Sequence, residues 1–327
     1  MIIDNFSPFL GHHCETTATG SLLKCLGIEM SEAMLFGIGE GLGFIYWDMK
    51  NMPFPFIGGR IKPDILTQNI VNNLGLQIDA KETSSPKTAW ETVKNNIDEG
   101  IAVGLKLDCY HLDYFTHKVH FAAHYVAMYG YDDNFAYLVD TDQQGGLVKT
   151  SLENLAFARN EKGPMSSKNL SYTIKKKEVM PDLKEVIRKS IKRNAQDFLN
   201  PPIKNIGYKG IEKTSVEIKK WFKRSKDIEY DLILTATLME RGGTGGSIFR
   251  NIYRDFLKES LTIFSNDAIQ NAYNLFTEIA PLWMEVSKLI NKAGETQEII
   301  FLNQASDILT YLSRKEYEAM DQLSKIN

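Results

Sequence analysis

The sequence predicts an α+β fold for residues 1–178, followed by an all-helical domain for residues 179–327. In the N-terminal region, segments with apolar residues at helical spacing come first and β-rich runs follow, an order typical of α+β domains. From residue 181 onward, apolar residues recur almost entirely at helical spacing. The charge also changes between the two regions: residues 175–226 carry 16 Lys and Arg against 6 Asp and Glu, a net charge of +10. Pro181, Pro201 and Pro202 interrupt the chain in the same segment, which supports a boundary there.

Length and composition indicate a globular protein of two domains. The chain has 327 residues, of which 43% are hydrophobic and 24% charged. It contains no unbroken apolar stretch long enough to cross a bilayer, and its N-terminus carries Asp4 and no basic segment. Its three cysteines cannot all form disulfides with one another, which favours a reducing compartment. We therefore expect a cytoplasmic protein with neither a membrane nor a nucleic acid as its partner.

The first predicted helix begins at Cys14. Apolar residues recur at helical spacing from Ala18 to Leu26, and Gly27 ends the segment as a left-handed cap would. Unpaired backbone N–H groups and the helix dipole favour a thiolate at such a position, which is one way to make a nucleophilic cysteine. The alternative is a buried cysteine with a structural role, the more common use of this residue.

Further elements are predicted along the N-terminal region. A short helix starts at the N-cap Ser31, and it leads into four glycines at alternate positions in residues 37–43. A nucleotide-binding loop would follow a strand and open a helix, so these glycines instead indicate a tight backbone path near a ligand or near the Cys14 helix. Glu40 in this run is a candidate substrate-binding residue. The remaining elements are helices at 63–74 and 88–99, a short strand before residue 80, and strands at 101–107, 119–130 and 135–139.

The last two strands form a predicted hairpin that carries two chemical groups. His124 lies in the centre of its first strand and Asp140 ends the second, 16 residues later. This spacing allows strand, turn and return, so a carboxylate could fix the tautomer and position of the imidazole. The alternative is a histidine packed in the core. If the strand extends to residue 119, His120 shares a face with His124 and is a further candidate for substrate binding.

Histidines crowd the segment before the hairpin, which raises the question of a metal. Neither HExxH nor a paired CxxC pattern is present among the residues concerned, namely Cys109, His111, His117, His120 and His124. The sequence therefore predicts no metal site and no cofactor.

The C-terminal region is predicted to form helices at 182–199, 215–224, 230–240, 247–264, 268–293 and 295–323. The glycine run at 242–246 is either a tight interhelical loop or a backbone cradle for an acceptor molecule. Glu240, Arg241 and Thr244 at this run are candidate substrate-binding residues.

The order of these groups resembles a known family. A cysteine at a helix start, a histidine on a strand and an aspartate ending the next strand resemble the papain-like fold of bacteriocin-processing peptidases. A closer resemblance is to the butirosin biosynthesis protein H family, and the second half resembles the domain commonly paired with it. The segments that carry it are His13-Cys14-Glu15-Thr16-Thr17, Leu26-Gly27 through Ser31-Glu32-Ala33-Met34-Leu35-Phe36-Gly37, Gly41-Leu42-Gly43-Phe44, Glu240-Arg241-Gly242-Gly243-Thr244-Gly245-Gly246 and Phe249-Arg250.

The resemblance implies a papain-like catalytic domain in residues 1–178 and an acyltransferase activity. Such an enzyme takes an acyl group from an acyl carrier protein thioester and delivers it to a small-molecule amine, an aminoglycoside antibiotic in the named member. Cys14 would be the nucleophile, His124 the general base and Asp140 the residue that orients it. Two alternatives stay open: a thioesterase, amidase or peptidase that uses water with the same residues, or a catalytically inactive binding module.

One departure from the peptidases concerns the oxyanion hole. The peptidases place a glutamine several residues before the cysteine, whereas this chain has Asn5-Phe6-Ser7-Pro8-Phe9-Leu10 there. The backbone N–H of Cys14 can serve as one oxyanion donor. His13, Ser7 and Asn5 are candidates for the second donor, and His13 is also a candidate substrate-binding residue.

Overall fold

A computed structural model describes residues 1–50, 52–163, 165–177 and 179–326. The chain forms two compact units. The first contains Met1–Leu35 and Pro63–Pro181, and the second contains Phe36–Lys62 and the chain from Asp182 onward. The predicted boundary between residues 178 and 179 involves Glu178, which lies outside the described residues.

The segment Phe36–Lys62 belongs to the second unit, although the sequence analysis placed it in the N-terminal domain. Its hydrogen bonds explain the difference. The Tyr46 amide donates to the Asn205 carbonyl at 2.8 Å, and the Asn194 side chain donates to the Glu40 and Leu42 carbonyls at 3.1 and 2.8 Å. These partners are more than 150 residues away in the chain, so neither a charge change nor a proline could indicate them.

The first unit is built on an antiparallel sheet. In chain order its helices and strands are α1 (Cys14–Cys25), the start of α2 (Glu32–Ile38), α3 (Ile65–Asn73), β3 (Gln77–Lys81), α4 (Pro86–Asp98), β4 (Val103–Leu107), β5 (His124–Tyr131), β6 (Phe135–Val139), β7 (Leu147–Ser151), α5 (Leu152–Asn160) and β8 (Ser171–Lys175). Strands β1 (Leu42–Trp47) and β2 (Phe56–Arg60) belong to the second unit. The six strands of the first unit are ordered β3-β8-β4-β5-β6-β7.

Helices cover both faces of this sheet, and all five residues of β4 are buried. On one face, Val103 and Leu105 join a core with Ile97 of α4 and Leu155 of α5. On the other face, Gly104 pairs with Tyr172, whose hydroxyl lies 3.4 Å from the Thr19 hydroxyl of α1. The N-terminal helix therefore packs on the face opposite α4 and α5.

The second unit combines the β1–β2 hairpin with helices, which are α6 (Leu183–Leu199), α7 (Gly207–Glu217), α8 (Trp221–Arg224), α9 (Ile228–Arg241), α10 (Arg250–Ile263), α11 (Asp267–Thr296) and α12 (Ile299–Ser324). The long helix α11 contacts α9, α10 and α12. Residues 182–326 are thus helical apart from turns and loops, and the predicted α+β class with a helical C-terminal region is confirmed.

The glycine run at 37–43 serves packing within the second unit. A Cβ atom on Gly37 would lie 2.1 Å from the ring of Phe256, and one on Gly43 would lie 2.8 Å from the Arg60 carbonyl carbon. The backbone path is tight, as predicted, but the neighbours that require it are Phe256 and Arg60 and not the Cys14 helix, because this segment belongs to the second unit.

Within the described residues, no helix combines the length and the apolar character needed to span a membrane.

Candidate active site

Cys14 is the first residue of α1, as the sequence predicted. His13 precedes the helix in an extended conformation, and Gly27 follows it with a φ of +68°. The thiol is buried, with 8% of the residue exposed. Cys14 therefore lies at the N-terminal end of α1, where the helix dipole favours an anion.

The imidazole of His124 connects Cys14 to Asp140. His124 Nε2 lies 2.7 Å from Asp140 Oδ2, and the Cys14 side chain is near enough for its charge to raise the pKa of His124. Because Nε2 faces the carboxylate, Nδ1 is the nitrogen left for the thiol. His124 begins β5, and Asp140 directly follows β6, so two adjacent strands bring imidazole and carboxylate together. The predicted contact between His124 and Asp140 is present, and the catalytic roles of the three residues stay a prediction.

Charge decides the protonation state of His124. Burial of the imidazole disfavours its charged form, but the charges of Asp140 and Cys14 outweigh burial and hold the pKa of His124 well above its usual range. A protonated imidazole between a carboxylate and a sulfur stabilises a thiolate. This is the charge arrangement that a cysteine nucleophile requires.

Asp140 is fully buried and held by three donors. Its Oδ1 accepts a hydrogen bond from the Thr141 amide at 2.6 Å. Its Oδ2 accepts from the Tyr114 hydroxyl at 2.7 Å as well as from His124. Burial and the charge of Asp140 raise the pKa of Tyr114, so the phenol stays protonated and remains a donor. Tyr114 could not be predicted from the sequence, because it lies in a loop without periodicity and meets Asp140 only through the tertiary fold.

Tyr114 also borders a surface cleft of about 400 Å³. The cleft is lined by Tyr114, Tyr129, Tyr137, Leu147, Val148 and Lys149. Three of these six side chains are phenols, and the hydroxyls of Tyr114 and Tyr137 already donate to Asp140 and Asp132, so the cleft offers mainly aromatic surface. Through Tyr114 it is connected to the carboxylate that holds His124.

Glu32 fixes the loop that leads into α1. Its carboxylate accepts hydrogen bonds from the His12 amide at 2.9 Å, the His13 amide at 2.8 Å and the Thr16 hydroxyl at 2.8 Å. Glu15, which directly follows Cys14 and is buried, accepts hydrogen bonds from the Thr67 amide and hydroxyl, both at 3.1 Å. These two carboxylates anchor the segment around Cys14 from both sides. The family motif contains Glu15 and Glu32, but their partners are not visible in the sequence.

The other two cysteines differ from Cys14. Cys25 is exposed at the far end of α1. Cys109 is buried, its S–H group donates to the Val119 carbonyl at 3.2 Å, and burial raises the pKa of its thiol. Cys109 is therefore held as a neutral thiol, and Cys25 lies at the opposite end of α1 from Cys14.

Comparison with family models covers nearly the whole chain. Residues 13–141 match "Butirosin biosynthesis protein H, N-terminal", and residues 153–323, more than half of the chain, match "Domain of unknown function (DUF4872)". The chain belongs to the butirosin biosynthesis protein H family. Its N-terminal region contains Cys14, His124 and Asp140.

A crystal structure of a candidate C39-like peptidase from Bacillus anthracis matches with 19% identity and a TM-score of 0.37, over 54% of this chain and 97% of that chain. No protein of curated function matches the chain.

Among the oxyanion candidates, only His13 is buried. Its residue is 4% exposed and directly precedes Cys14, whereas Asn5 and Ser7 are exposed. Both the amide and the carbonyl of His13 are used by the loop, through Glu32 and Thr16. These positions favour His13 over the other two as the residue next to a substrate carbonyl.

His120 does not lie on the strand that carries His124. The predicted strand at 119–130 begins only at His124, and His120 belongs to the loop before it. Its side chain is 59% exposed and contacts Asp108 and Tyr110. The expectation that His120 and His124 share a strand face is therefore wrong, because Asp108 holds the loop that precedes β5.

The remaining candidates lie in the second unit. Glu40 is mostly buried, has a φ of +55° and forms an ion pair with Arg193 at 3.8 Å. Arg241 is exposed at the end of α9. A role for Glu40 or Arg241 in substrate binding stays a prediction.

Glu240 and Thr244 use polar atoms to shape the glycine run at 242–246. The Thr244 hydroxyl donates to the Met239 carbonyl at 2.8 Å and accepts from the Gly246 amide at 3.1 Å. Glu240 Oε2 accepts from the Ser247 amide at 3.1 Å. These hydrogen bonds correspond to the tight interhelical loop, one of the two interpretations left open by the sequence. Binding of a substrate by Glu240 or Thr244 is untested.

Proposed function

We propose that this protein is a cysteine-dependent acyltransferase that moves an acyl group from a carrier-protein thioester to a small-molecule amine. The observation that carries the proposal is the hydrogen bond between His124 and Asp140, with Cys14 at the N-terminus of α1 near enough for its charge to raise the pKa of His124. Membership of the butirosin biosynthesis protein H family supports an acceptor of the antibiotic class and a role in antibiotic biosynthesis.

In the first step, the Cys14 thiolate attacks the thioester carbonyl and forms a tetrahedral intermediate. The Cys14 amide at the start of α1 is in position to donate to the oxyanion. Collapse breaks the bond to the carrier sulfur, which takes a proton from the His124 imidazolium. The products of this step are an acyl-Cys14 thioester and the free carrier thiol.

In the second step, the amine attacks the acyl-Cys14 carbonyl. Neutral His124 takes the proton that the amine loses, and Asp140 holds the imidazole and stabilises its positive charge. Collapse of the second intermediate forms the amide and returns the Cys14 thiolate beside the His124 imidazolium. No metal or cofactor takes part in either step.

Intact-mass analysis with a small acyl thioester tests the first step. We expect the wild-type protein to gain the mass of one acyl group and the Cys14→Ala variant to gain none. Cys25→Ala is the matched control, because it removes an exposed thiol from the same helix and should leave the adduct unchanged. An adduct that persists in Cys14→Ala would contradict the proposal.

The second step is tested by adding an amine to the acyl-enzyme and measuring the products. An acyltransferase converts the adduct to the amide, with a yield that rises with amine concentration. A hydrolase of the same fold releases the free acid at a rate independent of the amine. Exclusive release of the acid with a range of aminoglycosides would show that the enzyme is a thioesterase and contradict the acyltransferase proposal.

A further inference from the structure

Three side chains outside the candidate active site meet in one place. His111, His120 and Glu161 each present a ligand atom, and these atoms all lie within 4.8 Å of one another. His111 Nε2 is 2.6 Å from Glu161 Oε2, and the rings of His111 and His120 have centroids 5.9 Å apart. A tetrahedral Zn²⁺ with ligands at about 2.0–2.1 Å separates neighbouring ligand atoms by about 3.3 Å. The observed distance between His111 Nε2 and Glu161 Oε2, 2.6 Å, is shorter than this value, and the upper limit for the three ligand atoms, 4.8 Å, is longer.

The three residues come from three different parts of the first unit. His111 ends the short 3₁₀ turn Cys109–His111, His120 lies in the loop before β5, and Glu161 directly follows α5. No spacing pattern in the sequence could indicate such a set, because its members are brought together only by the fold. The set contains two imidazoles and one carboxylate, which are ligands that Zn²⁺ accepts.

A buried carboxylate orients one of these imidazoles. His120 Nδ1 lies 3.3 Å from Asp108 Oδ2, so Nε2 is the nitrogen left for a metal. Asp108 is 2% exposed and is itself fixed, because its Oδ1 accepts from the Tyr110 and Phe121 amides at 2.8 and 3.2 Å. The Tyr110 ring stacks on His120 with centroids 4.0 Å apart. A carboxylate behind a ligating histidine is a common outer-shell partner in metal sites.

Glu161 is held in a comparable way. Its Oε1 accepts from the Lys162 amide at 3.0 Å, which leaves Oε2 to face His111. His120 and Glu161 therefore each have one polar atom hydrogen-bonded to the rest of the protein and a second polar atom left for the cluster. Such fixed side chains lose less conformational entropy when they bind an ion than free surface side chains do.

We propose that His111, His120 and Glu161 bind a divalent transition-metal ion, Zn²⁺ in the first place, with Asp108 orienting His120. With three protein ligands, the fourth position of a tetrahedral ion is open to water or to a small anion. Binding would link the loop between β4 and β5 to the end of α5. Because this loop leads directly into His124, the ion would act on the position of the candidate active site without taking part in its chemistry.

The test uses the full-length Cys14→Ala variant, so that metal binding by the candidate active-site thiol does not interfere. Titration with Co²⁺, followed by visible absorption, and with Zn²⁺, followed by competition with a chromophoric chelator, should give one ion per chain. Zn²⁺ should also raise the thermal unfolding temperature, since it binds the folded state. In this background, His111→Ala, His120→Ala and Glu161→Gln should each abolish the Co²⁺ spectrum and the thermal shift. Asp108→Asn should lower the affinity by about 10- to 100-fold.

His117→Ala is the matched control, because it removes an exposed histidine of the same loop that is not part of the set. It should bind like the parent. Glu161→Cys separates loss of a ligand from loss of the fold: it should keep the ion and add a sulfur-to-cobalt charge-transfer band. If the parent binds no ion at micromolar Zn²⁺, or if binding survives in all three ligand variants, the three side chains form an ordinary hydrogen-bonded surface cluster and the proposal is wrong.

Discussion

At the scale of single residues, Asp140 controls the pH range over which His124 stays charged. The pKa of His124 lies above its usual value because of Asp140 and Cys14, so the charge is present at low pH and is lost as the pH rises through the raised value. Asp140→Asn removes the carboxylate and leaves burial, which lowers the pKa. In the wild-type protein, the His124 imidazolium assists alkylation of Cys14 by iodoacetamide until the pH rises above the raised pKa of His124. We expect Asp140→Asn to lose this assistance at a lower pH. Turnover should fall by up to about 10⁴-fold, as for the equivalent change in a serine triad.

Alkylation is measured as a rate against pH, with the modified residue identified by peptide mass. Asp132→Asn serves as control, because Asp132 also accepts a tyrosine hydroxyl and turn amides but lies in the exposed turn after β5. An unchanged pH profile in Asp140→Asn would show that Asp140 does not set the charge of His124.

Tyr114 gives a second prediction at this scale. Tyr114→Phe removes one of the two donors to Asp140 Oδ2, which leaves the carboxylate less firmly positioned. A hydrogen bond to a charged group contributes about 1.5–3 kcal/mol, so we expect kcat to fall by about 10- to 100-fold. The pKa of His124 should not fall, because the Asp140 charge remains, and this distinguishes the variant from Asp140→Asn.

Tyr137→Phe is the matched control for Tyr114→Phe. Both hydroxyls donate to a carboxylate and both rings line the same cleft, but Tyr137 bonds Asp132 and not Asp140. Equal losses in the two variants would indicate an effect of the cleft and not of Asp140.

The sequence indicated some of these residues and not others. Cys14, His124 and Asp140 could be predicted, because a helix start and two paired strands leave local patterns, and because the family motif supplies their roles. Tyr114, Glu32 and Asp108 could not be assigned a role, since each acts through contacts to distant residues. His120 was placed on the wrong element for the same reason: Asp108 organises its loop, and strand propensity does not include that contact.

At the scale of secondary structure, individual helices were easier to predict than which segments of the chain form the second unit. α1, α4, α6 and β6 were expected nearly at their observed bounds, because caps and periodicity mark them. β7, α5 and β8 were not predicted, and residues 36–62 were assigned to the wrong unit. Their placement depends on contacts to other strands, to Asn194 of α6 and to Asn205 before α7, which local patterns do not contain.

A buried ion pair between two helices gives the prediction for this scale. Arg250 of α10 and Glu316 of α12 are fully buried and joined by two hydrogen bonds of 2.8 Å, and Trp283 Nε1 donates to the same carboxylate. Glu316→Gln leaves an uncompensated buried guanidinium. We expect the free energy of unfolding to fall by about 3–5 kcal/mol, measured by denaturant titration.

Glu318→Gln is the control for Glu316→Gln. It breaks the exposed pair with Lys315 on the same helix and should cost less than about 1 kcal/mol. Similar stabilities for both variants would mean that burial does not make the Arg250–Glu316 pair essential.

At the scale of the whole molecule, positive charge is concentrated in one stretch of an otherwise acidic chain. The chain carries a net charge of −3, but residues 175–226 carry +10. Within that stretch, Lys219, Lys220 and Lys223 are exposed near the end of α7 and in α8. A positive surface of this kind raises the association rate of an acidic partner, and the effect weakens with salt.

If the acyl donor is an acidic carrier protein, this stretch would bind it. Reversing the charge at Lys219, Lys220 and Lys223 should then lower kcat/KM for the carrier-bound donor several-fold, and the loss should shrink at high salt. A small-molecule thioester, which needs no docking, should react at the wild-type rate. Reversal of the exposed Lys81, Lys87 and Lys168 changes the net charge equally and serves as control. A loss with both donors, or with neither, would assign the basic stretch to ordinary solvated surface and require another docking site for the carrier protein.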